Sequence, residues 1–115
     1  MKKSIVLVCI FMLFAGAVFA QNRPEITVVN NTGYTIYYLY VSPATSDGWG
    51  NDVLGSSQTL RSGYEIRVSL PYPLESERFY DFRAVDEDDD SYYKWNVRIT
   101  PNSRVVFVFD DIDLD

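Results

Sequence analysis

The sequence predicts an all-β fold, an antiparallel β-sandwich of six to seven strands, with a small open barrel as the alternative and a signal-peptide helix in front. Three observations predict it. Beyond position 20 the apolar residues recur with a period of two, not 3.6. β-branched and aromatic side chains fill those positions. Clusters of Gly, Pro, Asn, Asp and Ser break the pattern at short intervals, and no window of helical length lacks such a breaker.

The elements follow in order. Met1, Lys2 and Lys3 precede an apolar run from Ile5 to Phe14, and small residues lead to Ala20. This is the layout of a secretory signal peptide cleaved after Ala20. A retained anchor is the rival, but the apolar stretch of about 15 residues is shorter than the ~20 a spanning helix needs. Cys9 lies inside that run and is discarded with it. Residues 21–115 are then one domain of 95 residues without cysteine, carrying 8 bases against 16 acids, a formal charge of −8. The expected location is periplasmic or secreted.

Ile26 and Val28 alternate with Thr27 and Val29 in a first strand, which ends in the turn residues Asn30 to Gly33. A second strand, Tyr34 to Ser42, is apolar on both faces and is expected to be central. Pro43 opens a long connection to Gly63, which holds a seventh strand if Gln58 to Arg61 pairs. Tyr64, Ile66, Val68 and Leu70 alternate with polar residues in a third strand. Phe79 to Val85 and the segment after Ser91 form a hairpin around Asp86 to Asp90. In its return strand Tyr93, Trp95, Val97 and Ile99 face one way, and Tyr92, Lys94, Asn96 and Arg98 the other. Val105 to Phe109 is the last strand before the acidic tail.

Four segments together resemble a largely uncharacterised family of small exported bacterial β-proteins. They are Asn-x-Thr-Gly (Asn30 to Gly33), Tyr-x-Ser-Pro (Tyr40 to Pro43), Trp-Gly-x-Asp-x-Leu-Gly (Trp49 to Gly55) and Tyr-Asp-x-Arg-x-x-Asp (Tyr80 to Asp86). The resemblance implies a compact exported β-domain and brings no catalytic residues with it.

Composition excludes much chemistry. The chain has no histidine, so it lacks an imidazole base and histidine metal ligands, and one cysteine makes neither an intramolecular disulfide nor a Cys-x-x-Cys site. No nucleophile elbow or phosphate loop occurs. The acidic balance disfavours nucleic acid. The expected protein is therefore not an enzyme but a binding or interaction domain, with an envelope or extracellular protein as partner and no stable membrane insertion after cleavage.

Two candidate sites remain. Eleven of the sixteen acids fall at Asp47 and Asp52, in the hairpin turn, and in the tail. The strand order brings the hairpin turn and the start of the tail to one end, which makes Asp86, Asp88, Asp90, Asp110 and Asp111 candidate calcium ligands. An EF-hand is rejected, because Ser91 stands where its glycine belongs and Val97 where its bidentate glutamate belongs. Asp47 and Asp52 share that end if the long connection adds no strand, and move to the opposite end if it adds one. The plainer expectation is a solvated acidic turn. Trp49 and Asp52 are candidate ligand-binding residues, set against a structural reading in which Trp49 and Leu54 plug the sandwich and Asp52 caps backbone amides. Tyr37, Tyr72 and Tyr92 are the expected exposed tyrosines, and a row of exposed aromatics would suit carbohydrate. Asp81 and Arg83, two apart in a strand, are expected to form an ion pair.

Overall fold

The computed structural model describes residues 23–114. The signal segment, with Cys9, lies outside the described residues, as does Asp115. Among the described residues seven strands form: β1 (Glu25–Asn31), β2 (Ile36–Pro43), β3 (Glu65–Ser69), β4 (Phe79–Asp86), β5 (Ser91–Arg98), β6 (Arg104–Val108) and β7 (Ile112–Asp113). They make two sheets, ordered β3-β1-β6 and β2-β4-β5-β7. One core lies between them. Ile26, Val28, Val68, Val105 and Phe107 from the smaller sheet meet Ile36, Leu39, Tyr80, Phe82, Ala84 and Tyr92 from the larger. The predicted sandwich is therefore present, as two sheets and not as a barrel.

One pairing departs from the antiparallel pattern: β1 and β6 run parallel. The long connection is the cause. It starts beside Pro43, where the Ala44 amide donates to Phe79 O, and returns to the start of β2, where Leu60 bridges Ile36. It thus runs the length of the sheet without forming a strand, and that extra pass reverses the direction of everything after it. The seventh strand is not Gln58 to Arg61, which contributes a single bridge at Leu60, but the tail residues Ile112 and Asp113.

Two bulges decide which side chains face the core. In β2 the register slips between Ile36 and Tyr38, so Ile36 and Leu39 are both buried and Tyr38 turns outward. In β5 a three-residue step, Lys94 to Val97, spans the two-residue step from Phe82 to Tyr80 on β4. Asn96 absorbs the extra residue with φ 54, a left-handed conformation that asparagine tolerates, and its amide donates to Asp81 Oδ1 at 2.7 Å. An added residue inverts the alternation. Tyr92 therefore points inward before the bulge, while Val97 and Ile99 pack inward after it. Trp95 and Tyr93 are left outside, so the single face expected for Tyr93, Trp95, Val97 and Ile99 is split.

The two outer faces differ in kind. On the smaller sheet Arg67 pairs with Glu25 at 3.2 Å and Arg104 with Glu65 at 3.3 Å, all four half exposed. Such pairs are worth at most about 1 kcal/mol each and serve mainly to keep a face solvated. The larger sheet shows aromatic rings to solvent instead.

Candidate functional site

The register of the larger sheet places Tyr40, Arg83 and Tyr93 side by side on β2, β4 and β5. All three point outward, because Leu39, Phe82 and Ala84 take the inward positions. The Arg83 guanidinium lies 5.5 Å from the Tyr40 ring centroid and 5.8 Å from that of Tyr93. Tyr93 in turn stacks on Trp95, with centroids 4.9 Å apart and planes within 8°. Trp49 lies beside this stacked pair, tilted against Trp95 at 5.7 Å and against Tyr93 at 6.3 Å. Tyr40, Arg83, Tyr93, Trp95 and Trp49 thus form one ladder, in which each ring contact is worth about 0.5–1.5 kcal/mol beyond its buried area. Trp95 at its outer end is 61% exposed.

Beside the ladder lies a cleft of about 200 Å³, lined by Trp49, Trp95, Asp47, Asp81, Ser42 and Ser46. The connection supplies Asp47 and Trp49, β2 supplies Ser42, and β4 and β5 supply Asp81 and Trp95. Asp47 is thereby separated from the hairpin turn although the connection forms no strand, contrary to the expectation that only an added strand would part them, because the connection runs the length of the sheet all the same. Asp81 and Asp86 stand five residues apart on β4, about 16 Å at ~3.3 Å per residue.

Asp52 has a different task. Its Oδ1 accepts the Leu39 amide at 2.9 Å and the Leu54 amide at 3.0 Å, and the Val53 amide donates to Leu39 O at 2.8 Å. The carboxylate stands in for a neighbouring strand and covers the free edge of β2, while Leu54 drops into the core. Of the two ligand-binding candidates, Trp49 reaches the cleft and Asp52 holds the connection. Trp49 does not plug the sandwich.

Asp81 and Arg83 form no ion pair with each other: Asp81 is bonded to the Asn96 amide and Arg83 to Ser91 Oγ at 3.3 Å. Arg83 Nε is buried with no hydrogen-bond partner. Tyr37 and Tyr72 are exposed as expected, but Tyr92 is completely buried, since the bulge puts it on the core side.

The hairpin turn gathers Asp86, Asp88 and Asp90, each with a carboxylate oxygen within 4.8 Å of the others'. Asp86 is buried and much of its capacity is used. Oδ1 accepts the amides of Asp88 at 2.9 Å and Asp90 at 3.0 Å, and Oδ2 accepts the Tyr92 hydroxyl at 2.8 Å. A carboxylate offers about four lone-pair sites, so about one remains. Burial pushes the Tyr92 hydroxyl well above its ordinary pKa, helped by its bond to Asp86 and that carboxylate's charge. Asp110 and Asp111 do not join the three. A 3-10 turn, Phe109–Asp111, carries them, and Asp111 is held by Lys94 Nζ at 3.2 Å and by the Val108 amide at 2.9 Å. The tail does return to this end, where Asp113 pairs with Ser91, as the strand order implied.

Tyr40, Arg83, Tyr93 and Trp95 are not evident as a group from the sequence alone. The available signal was Tyr93 and Trp95 at strand spacing, opposite an arginine in the preceding strand. Which face they took depended on Asn96.

Fold and surface together define a β-sandwich with one charged and one aromatic outer face. No family model and no curated protein sequence matches this chain. A solved structure that is similar is described as the NMR structure of the protein from Eubacterium rectale. It shares 18% identity with a TM-score of 0.57, over 76% of this chain and 78% of that one. That likeness bears on the fold alone.

Proposed function

We propose that this chain is an exported, non-enzymatic binding domain, whose contact surface is the aromatic ladder of the larger sheet and whose partner is an envelope or extracellular component. The observation that carries the reading is the exposure of Trp95 at the end of a built row of rings. Solubility does not ask for it: the smaller sheet meets water with alternating acids and bases. Export is supported by the segment from Met1 to Ala20, and a non-catalytic role by the lack of histidine.

The test is cosedimentation of the purified domain with isolated cell envelope, wild type against Trp95→Ala. The expected result is a bound fraction at least about tenfold lower for the variant, with an unchanged circular dichroism spectrum; a tenfold change corresponds to about 1.4 kcal/mol. Equal binding by both proteins refutes the surface.

Calcium at the hairpin turn is the second reading, favoured by the closeness of the Asp86, Asp88 and Asp90 oxygens. Because Asp86 has about one lone-pair site left, the cation would rest mainly on Asp88, Asp90 and water. The expected outcome is a thermal midpoint raised by 1 mM Ca²⁺, on the order of 100 Kd for a 10 µM site, and restored by chelator. Identical midpoints with and without Ca²⁺ remove calcium from the description.

A further inference from the structure

The cleft beside the ladder has a chemistry of its own. It combines two indole rings, two carboxylates and two serine hydroxyls in about 200 Å³. At roughly 30 Å³ per water, that space holds one six-membered ring with its substituents. Carboxylates only accept hydrogen bonds, whereas serine hydroxyls both donate and accept. An occupant must therefore bring several hydroxyl or N–H donors around its rim and a flat C–H face for Trp95.

Other occupants fit less well. An anion would face Asp47 and Asp81, and no lysine or arginine is among the lining residues. A quaternary ammonium requires rings arranged around it, each within about 6 Å. Trp49 and Trp95 are already 5.7 Å apart, in contact with each other, and leave no gap for a cation between them. An extended peptide adding to the edge of β5, which β7 covers only at Ser91 and Tyr92, would meet the left-handed Asn96 in mid-strand. A bulge there interrupts the ladder such a peptide would need.

We propose that the cleft lined by Trp49, Trp95, Asp47 and Asp81 binds one uncharged hexopyranose unit of a glycan, its C–H face stacked on the exposed side of Trp95 and its hydroxyls donating to Asp47 and Asp81. The proposal rests on the reading of the ladder as the contact surface, and names what that surface takes. Trp95 is fixed from behind by Tyr93, whose ring is in turn contacted by the Arg83 guanidinium, so the ring is set before the sugar arrives. Preorganisation of this kind lowers the cost of binding.

The experiment is intrinsic tryptophan fluorescence and calorimetry on the mature domain, with cellotetraose and the β-1,4 tetramer of N-acetylglucosamine as uncharged probes and tetragalacturonate as the anionic one. Saturable binding of at least one uncharged probe, with at least about tenfold weaker binding of tetragalacturonate, is expected. Trp95→Ala should weaken the uncharged probe at least about tenfold. Trp95→Phe, which keeps a flat ring, should stay within about threefold of wild type. Asp47→Asn tests the acceptor without touching Asp81, which is needed to hold Asn96. It should weaken binding about threefold or more. The probe should be recovered at its original length. The proposal is overturned by the absence of saturable binding of both uncharged probes up to about 10 mM, by binding that survives Trp95→Ala, by equal affinity for tetragalacturonate, or by cleavage of the probe. If the sugars fail but envelope binding still depends on Trp95, the glycan is wrong and the contact surface stands. If both fail, neither does.

Discussion

Replacing Asn30 by alanine is expected to destabilise the domain by about 3–4 kcal/mol, more than any exposed substitution should. Asn30 is completely buried at the end of β1, and its amide is fully used. Nδ2 donates to Tyr34 O at 2.7 Å and Leu60 O at 2.8 Å, while Oδ1 accepts the Thr32 amide at 3.0 Å and the Thr32 hydroxyl at 2.8 Å. Its backbone is engaged too, receiving the Gly63 amide at 2.7 Å and donating to Tyr64 O at 3.0 Å. One side chain therefore ties β1, the first turn, the end of the long connection and the approach to β3. Alanine leaves several polar groups facing an apolar void, each costing on the order of 1 kcal/mol. Asn30→Asp should be nearly as harmful, because a carboxylate cannot donate to the two carbonyls. Urea unfolding of the three proteins measures this, and a loss below about 1 kcal/mol for Asn30→Ala shows that the network is not cooperative.

The second large effect is expected at Asp86. Asp86→Ala removes the acceptor of two turn amides and of the buried Tyr92 hydroxyl, at a cost of about 3 kcal/mol. Asp86→Asn should be milder. Its Oδ1 still accepts the Asp88 and Asp90 amides, and the Tyr92 hydroxyl can turn to accept from the new Nδ2. The pH dependence follows from Tyr92, whose hydroxyl is pushed above the ordinary value of 10.0 in the folded state, first by burial and then by Asp86. Tyr80, completely buried, is raised for the same first reason, with Glu77 adding to it. In the unfolded chain both ionise near pH 10. Their contribution is thus fully present below about pH 10 and is lost as the pH rises above it, because only the unfolded state then releases the proton easily. Thermal midpoints between pH 8 and 11 should fall at the alkaline end, and less steeply in Tyr92→Phe. An unchanged alkaline slope in that variant contradicts the account.

Both residues show how much was legible in advance. Asn30 was readable as a turn residue within Asn-x-Thr-Gly, and Asp86 as part of an acidic hairpin. Neither was readable as buried, since burial depends on what arrives from elsewhere: Leu60 and Tyr34 over Asn30, and Tyr92 over Asp86. The same limit applied to Tyr92, which local alternation placed on a polar face. Trp49 was legible as a candidate, but its partners on β5 were not, because they lie more than forty residues away and on a face set by a bulge.

What the sequence by itself determined was the class of fold and its punctuation. Alternating apolar residues with a period of two can bury a face only as strands, and Pro43, the Asn30 to Gly33 turn and the Asp86 to Asp90 turn end those strands for local steric reasons. It also settled that the hairpin turn and the tail share one end, which follows from counting chain reversals. Tertiary structure alone decided the direction of β6, the path of the connection and the facing of the aromatics. The reason is the same in each case. A pass that forms no strand still reverses the chain, and one extra residue at Asn96 inverts every side chain beyond it, so small local events acquire their meaning only once the neighbouring strand is in place. The aromatic face is the product of those events.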